Sequence, residues 1–140
     1  MAIGVQVTFD AGDPHRVAQF WAQALGYQVE DHTEIVDGLV ASGRLPAEAV
    51  VTLGERRGFR DVAASRDPDG LGPRLFFQRV PEPKTVKNRV HLDLHVGPER
   101  RDAEVERILA LGATKLYVTT GQGAPCVTLA DPEGNELCVE

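Results

Sequence analysis

Apolar and polar residues alternate from Ile3 to Asp10, which predicts a β-strand. Val5, Val7 and Phe9 fall on one face and Gln6, Thr8 and Asp10 on the other. The period then lengthens. Asp13 reads as an N-cap and Pro14 as the first residue of a helix running to Leu25. Val17, Phe20, Trp21, Ala24 and Leu25 make one apolar stripe, and Gly26 supplies the stop. Trp21 belongs to that stripe, so it reads as a core residue rather than a ligand-stacking one. The same pattern returns later. Val90–Val96 alternates, with Val90, Leu92, Leu94 and Val96 on one face and His91, Asp93 and His95 on the other. A proline-led amphipathic stretch, Pro98 to Leu111, then ends at Gly112, with Val105, Ile108 and Leu109 as its stripe. Gln6 stands to His91 at the same chain interval as Asp10 to His95, and Gly26 to Gly112 is one residue longer.

The segments between these units read less evenly. Tyr27–His32 predicts a second strand. The stretch from Asp37 to Pro73 is the least regular, with one β-like run at Ala49–Leu53. Its Arg56, Arg57, Arg60 and Arg66 offer either an anion-attracting rim or, more simply, a solvated loop. Asp67-Pro68-Asp69-Gly70 is a turn signal, and Arg74–Val80 predicts a strand. Pro81-Glu82-Pro83-Lys84 breaks regular structure and reads as a connection. Ala113–Thr119, Pro125–Ala130 and Glu136–Glu140 predict three more strands, the last two joined by the turn Asp131–Asn135. On the final strand Leu137 and Val139 share one face, and Glu136, Cys138 and Glu140 the other. The expectation is an α+β fold of two βαβββ modules, about residues 1–82 and 88–140, in one domain. Their polar strand faces would form a half-open barrel around a central cleft.

Composition narrows the partners. The 42% apolar and 26% charged fractions are ordinary for a globular chain, and the net charge of −6 argues against a general nucleic-acid binder. No apolar run is long enough for a membrane helix, and the N-terminus enters a strand pattern without a signal-peptide profile. The expected setting is cytoplasmic. Cys138 would sit opposite Thr128, with Cys126 diagonal to it and poorly placed for a disulfide, so two free thiols are expected.

The doubled order, Phe20-Trp21 followed by Leu25-Gly26, and the closing Asp131-Pro132-Glu133-Gly134-Asn135-Glu136-Leu137-Cys138 resemble the vicinal oxygen chelate superfamily. That group includes glyoxalase I, extradiol dioxygenases, fosfomycin-resistance enzymes and bleomycin-binding proteins. Phe77-Gln78-Arg79-Val80-Pro81-Glu82 and Asn88-Arg89-Val90-His91-Leu92-Asp93 resemble more specifically its bacterial glyoxalase-like domain proteins. The resemblance implies metal ligands on the first and last strands of each module. It points to Gln6, Gln78 and His91, with Cys138 at the fourth position, and implies a homodimer.

The glyoxalase I pattern of His or Gln, Glu, His and Glu would here read Gln, Gln, His, Cys. Gln78 and Cys138 remove the carboxylates, including the one that would take a proton alpha to a carbonyl. True glyoxalase I chemistry is therefore not expected. Extradiol chemistry fails too, because a single His occupies a ligand position. Asp93 and Glu136 share faces with His91 and Cys138 and would repair the set for zinc, nickel, manganese or iron. The alternative is a metal-free polar cleft. A His91–Cys138 pair also raises nucleophilic chemistry, against which stands an inert buried thiol.

The leading expectation is a glyoxalase-like small-molecule enzyme of unknown substrate, of lyase, isomerase or tailoring type. His91 and Cys138 would be its catalytic residues, and Gln6, Thr8, Gln78, Asp93 and Glu136 would line its cleft. The competing expectation is a non-catalytic binder of an antibiotic or other small molecule. A third is a degenerate structural or regulatory partner.

Overall fold

The computed structural model describes residues 1–120 and 123–140. The chain divides into two compact units, Met1–Pro81 and Glu82–Glu140. Each is a mixed α+β unit.

The first unit opens with β1 (Gln6–Ala11) and α1 (Pro14–Leu25). The helix ends are those that the sequence predicts. Asp13 accepts from the Arg16 N–H, Pro14 takes the first turn, and Gly26 closes the helix with a left-handed φ of 74°. The chain continues through β2 (Gln28–Val29), α2 (Thr33–Ala41), a 3-10 turn (Ala47–Ala49), β3 (Val50–Leu53), β4 (Arg56–Phe59), β5 (Val62–Arg66) and β6 (Arg74–Arg79). A four-stranded sheet runs β1-β6-β5-β2, with β3 and β4 as a separate hairpin. β1 and β6 are parallel, and the other neighbours in the four-stranded sheet are antiparallel. α1 covers one sheet face, burying Trp21, Val17, Leu75 and Phe77 completely. Phe9 stacks on Phe77 at 5.2 Å and tilts against Trp21 at 5.0 Å. Trp21 is a core residue, as its stripe predicts.

The second unit contains β7 (Leu92–Leu94), α3 (Arg101–Ala110), β8 (Thr114–Thr119), β9 (Cys126–Ala130) and β10 (Glu136–Val139). Its sheet runs β7-β10-β9-β8. This is the order of the first unit: the opening strand lies parallel to the closing one, and the second strand sits at the far edge. Val105 and Ile108 of α3 are buried, as are Leu129, Leu137 and Val139 of the sheet. The two modules of the sequence repeat are therefore two copies of one topology.

Several boundaries differ from expectation. Ile3, Val5 and Val90 were expected inside strands, yet Val5 and Val90 are 71% and 77% exposed. The parallel partners explain this. β6 begins only at Arg74, after Gly72-Pro73, and β10 only at Glu136, so earlier residues have no ladder to join. The second strand shortens to Gln28–Val29 because Asp31 turns the chain, accepting from the Thr33 N–H at 3.0 Å and the Thr33 hydroxyl at 2.6 Å. α2, β4 and β5 occupy the region expected to be mostly irregular. α3 starts at Arg101 rather than Pro98, after a turn in which the Arg100 and Arg101 N–H groups donate to the Gly97 carbonyl.

Candidate functional site

The expected site residues divide between the units. Gln6, Thr8 and Gln78 belong to the first, and His91, Asp93, Glu136 and Cys138 to the second.

On the first sheet, Gln6 pairs in register with Arg74, Thr8 with Phe76, and Asp10 with Gln78. Gln6 and Gln78 are thus four register steps apart, about 13 Å at the usual strand rise. Their backbones therefore stand well apart along the sheet. Each amide is also engaged elsewhere. Gln6 Oε1 accepts from Arg74 Nη1 at 2.7 Å, and Gln78 Nε2 donates to Asp10 Oδ1 at 2.9 Å. Arg74 further grips Glu30, Nε to Oε1 at 2.7 Å and Nη2 to Oε2 at 2.8 Å. These bonds hold the Glu30 carboxyl down at about 2. His32 Nε2 lies 3.0 Å from the same carboxylate.

The second unit brings its candidates together. β7 and β10 run parallel, with Cys138 opposite Asp93 and, across β9, opposite Thr128. His91 and Asp93, two apart, point to one side. His91 Nδ1 lies 2.9 Å from Asp93 Oδ1 and 3.9 Å from Cys138 Sγ. Thr128 Oγ1 lies 3.4 Å from the same sulfur. One ligand atom from each of His91, Asp93 and Cys138 falls within 4.8 Å of the others. The histidine and aspartate are about 40% open to solvent, and the thiol is buried.

The shared use of Nδ1 decides what this cluster can do. A nucleophilic relay needs the thiol on one ring nitrogen and the carboxylate on the other. Here both face the same nitrogen, so the three groups converge on a point instead of forming a chain. Nitrogen, carboxylate oxygen and thiolate sulfur are a donor set that fits a divalent ion of zinc type.

Glu136 is not part of that set. Its buried carboxylate takes Lys87 Nζ at 2.6 Å, and the Lys87 bond lowers its pKa. Cys126 adds a second thiol that the sequence reading left idle. Burial first, and then the neighbouring Cys138 thiol, push it up to about 12. Both cysteines are free, as expected. His95 is 78% exposed and pairs with Glu140 at 2.8 Å, a solvated strand end. His15 and His32, to which the sequence assigns no role, line a cavity of about 210 Å³ within the first unit. The Arg74–Glu30 contact was also missed, since its partners stand far apart in the chain and on segments of different pattern. No helix among the described residues is long and apolar enough to cross a membrane.

Comparison with known proteins agrees with this architecture. Among curated proteins, none matches the chain. Among solved structures, a glyoxalase/bleomycin resistance/dioxygenase family enzyme from Burkholderia phytofirmans PsJN is similar at 18% identity. That match covers 96% of this chain and 94% of the other, with a TM-score of 0.62. The fosfomycin resistance protein FosX from Listeria monocytogenes, complexed with Mn(II) and 1S,2S-dihydroxypropylphosphonic acid, matches at 12% identity. It covers 100% of this chain and 90% of that one, with a TM-score of 0.64. The bleomycin-binding protein of Streptomyces verticillus, complexed with copper(II)-bleomycin, matches at 18% identity over 99% and 95% of the two chains, with a TM-score of 0.56. These likenesses establish the fold, which carries both enzymes and binding proteins. The sequence profile described as "Glyoxalase-like domain" matches residues 6–140. With nearly its whole length matched, the chain belongs to the glyoxalase-like domain family.

Proposed function

We propose that this chain is a glyoxalase-like small-molecule enzyme, of lyase, isomerase or tailoring type, whose chemistry is centred on His91, Asp93 and Cys138. The observation that carries the reading is the convergence of these three side chains within 4.8 Å, with both contacts made through one imidazole nitrogen. A divalent ion, when bound, would supply a Lewis acid for a substrate oxygen. His91, Asp93 and Cys138 would hold it. Thr128 steadies the thiol from β9, and Lys87 keeps the nearby Glu136 carboxylate paired. A homodimer and a cytoplasmic setting complete the proposal.

Metal analysis of protein purified without chelator, before and after dialysis against one, tests it together with substrate profiling. Wild type should hold close to one ion per chain, and His91→Ala should lose it together with turnover. If His91→Ala changes neither metal content nor any turnover, the reading fails.

One observation favours a second reading, a non-catalytic binder. Glu136 is tied by Lys87, and the remaining carboxylate, Asp93, is bonded to His91, so neither stands ready to accept a substrate proton. Tight capture of a ligand recovered unchanged, without a metal requirement, would decide for it.

A further inference from the structure

A row of four polar side chains crosses the first sheet from edge to edge. Gln6 pairs with Arg74, and Gln28 pairs with Arg66. The β5–β6 register runs Ser65 against Leu75, so its next position sets Arg66 against Arg74. Directly paired residues present their side chains to the same face, and like charges so placed repel. Glu30 and Gln6 absorb the charge and donors of Arg74. Nothing does so for Arg66: its side chain makes no hydrogen bond or ion pair among the described residues.

The two arginines, Gln28, His32, Ile35 and Arg56 line a pocket of about 520 Å³. Arg56 is held loosely, its Nε 3.5 Å from Asp31 with both groups about half exposed. Asp31 spends its other oxygen on Thr33. The pocket therefore sets three guanidinium groups against two carboxylates, Glu30 and Asp31, and leaves one positive charge in excess. The surplus sits beside the first turn of α2, whose Thr33 N–H is already taken by Asp31, so the guanidiniums rather than the helix end carry the attraction.

We propose that this pocket binds a phosphate-type oxyanion carried by a small molecule, with Arg66 as its principal contact. The guanidiniums come from three strands, β4, β5 and β6, with Arg66 and Arg74 side by side on neighbouring strands and Arg56 from the β3–β4 hairpin. Several guanidinium forks on one pocket suit a phosphate-type anion, which offers three or four acceptor oxygens and up to two charges where a carboxylate offers two oxygens and one. The site lies wholly within Met1–Pro81 and uses none of His91, Asp93 or Cys138, so it stands or falls apart from metal binding.

Inorganic phosphate titrated into isotope-labelled full-length protein at low ionic strength, followed by NMR, is the test. Saturable shifts should centre on Gln28, Arg66 and Arg74. Arg66→Gln should weaken binding about tenfold or more, as expected for loss of a charge-assisted fork. Arg60→Gln removes the same charge outside the pocket and should change affinity less than about twofold, which separates local contact from net charge. Circular dichroism should confirm that both variants keep the fold, which the exposure of Arg66 and Arg60 favours. Absence of saturable shifts, equal effects of the two substitutions, or acetate binding as tightly as phosphate would overturn the proposal.

Discussion

Arg74 holds Glu30 through two parallel hydrogen bonds of 2.7 and 2.8 Å, fixing β6 to the segment after β2. The pairing depresses the Glu30 carboxyl from its ordinary 4.5 to about 2. A depressed acid stabilises the fold above its unfolded pKa, and that contribution drains away as pH falls through the folded one. Arg74→Gln should cost on the order of 1–2 kcal/mol at neutral pH, after allowance for solvent screening at the guanidinium. The gap between wild type and variant should narrow between pH 4.5 and about 2. Denaturant unfolding measured across that range checks it.

Gly72 leaves room for Tyr27. A Cβ at position 72 would lie 2.0 Å from the Tyr27 hydroxyl and 3.1 Å from its ring carbon. Gly72→Ala should destabilise by about 1–3 kcal/mol, the usual cost of overpacking. The same substitution in a Tyr27→Ala background should cost much less, and a double-mutant cycle measures the difference.

Cys126 should be a poor nucleophile. With its thiol pushed up to about 12, its thiolate fraction at pH 8 is minute. Alkylation by iodoacetamide in the folded protein should run about two or more orders of magnitude slower than for free cysteine. Reaction at the ordinary rate should return in denaturant. Peptide mass spectrometry reads both.

Zinc binding should discriminate among the acidic and thiol groups of the second unit. Cys138→Ser and Asp93→Ala should each weaken it about tenfold or more. Glu136→Gln should leave it within about twofold, because that carboxylate is already committed to Lys87. Competition against a chromogenic chelator gives the affinities.

What the sequence revealed depended on distance along the chain. The signals for α1, namely Asp13, Pro14, the stripe through Trp21 and the stop at Gly26, are all local, and each one holds. α2 carries apolar residues at Ile35, Val36, Leu39 and Val40, a helical spacing, but Gly38 interrupts it and lowers helix propensity. β5 was invisible for another reason. Val62-Ala63-Ala64-Ser65 is nearly uniform in size and buried at three consecutive positions, so no alternation marks it. In the site, His91 and Asp93 share a face by simple alternation, and Cys138 follows from the last strand. The pairing of Gln78 with Asp10 follows from the parallel register of β1 and β6, which joins segments 68 residues apart and is not readable from local alternation.

The parallel embrace of first and last strand also dictates an order of assembly. Each sheet is complete only when its final strand arrives, a closure of high sequence separation and correspondingly slow onset. For the opening half that strand ends at Arg79, so its sheet can close while the remaining residues are still being synthesised. For the closing half, β10 spans Glu136–Val139, so the His91 cluster is complete only once Cys138, 47 residues further along the chain, has joined the sheet.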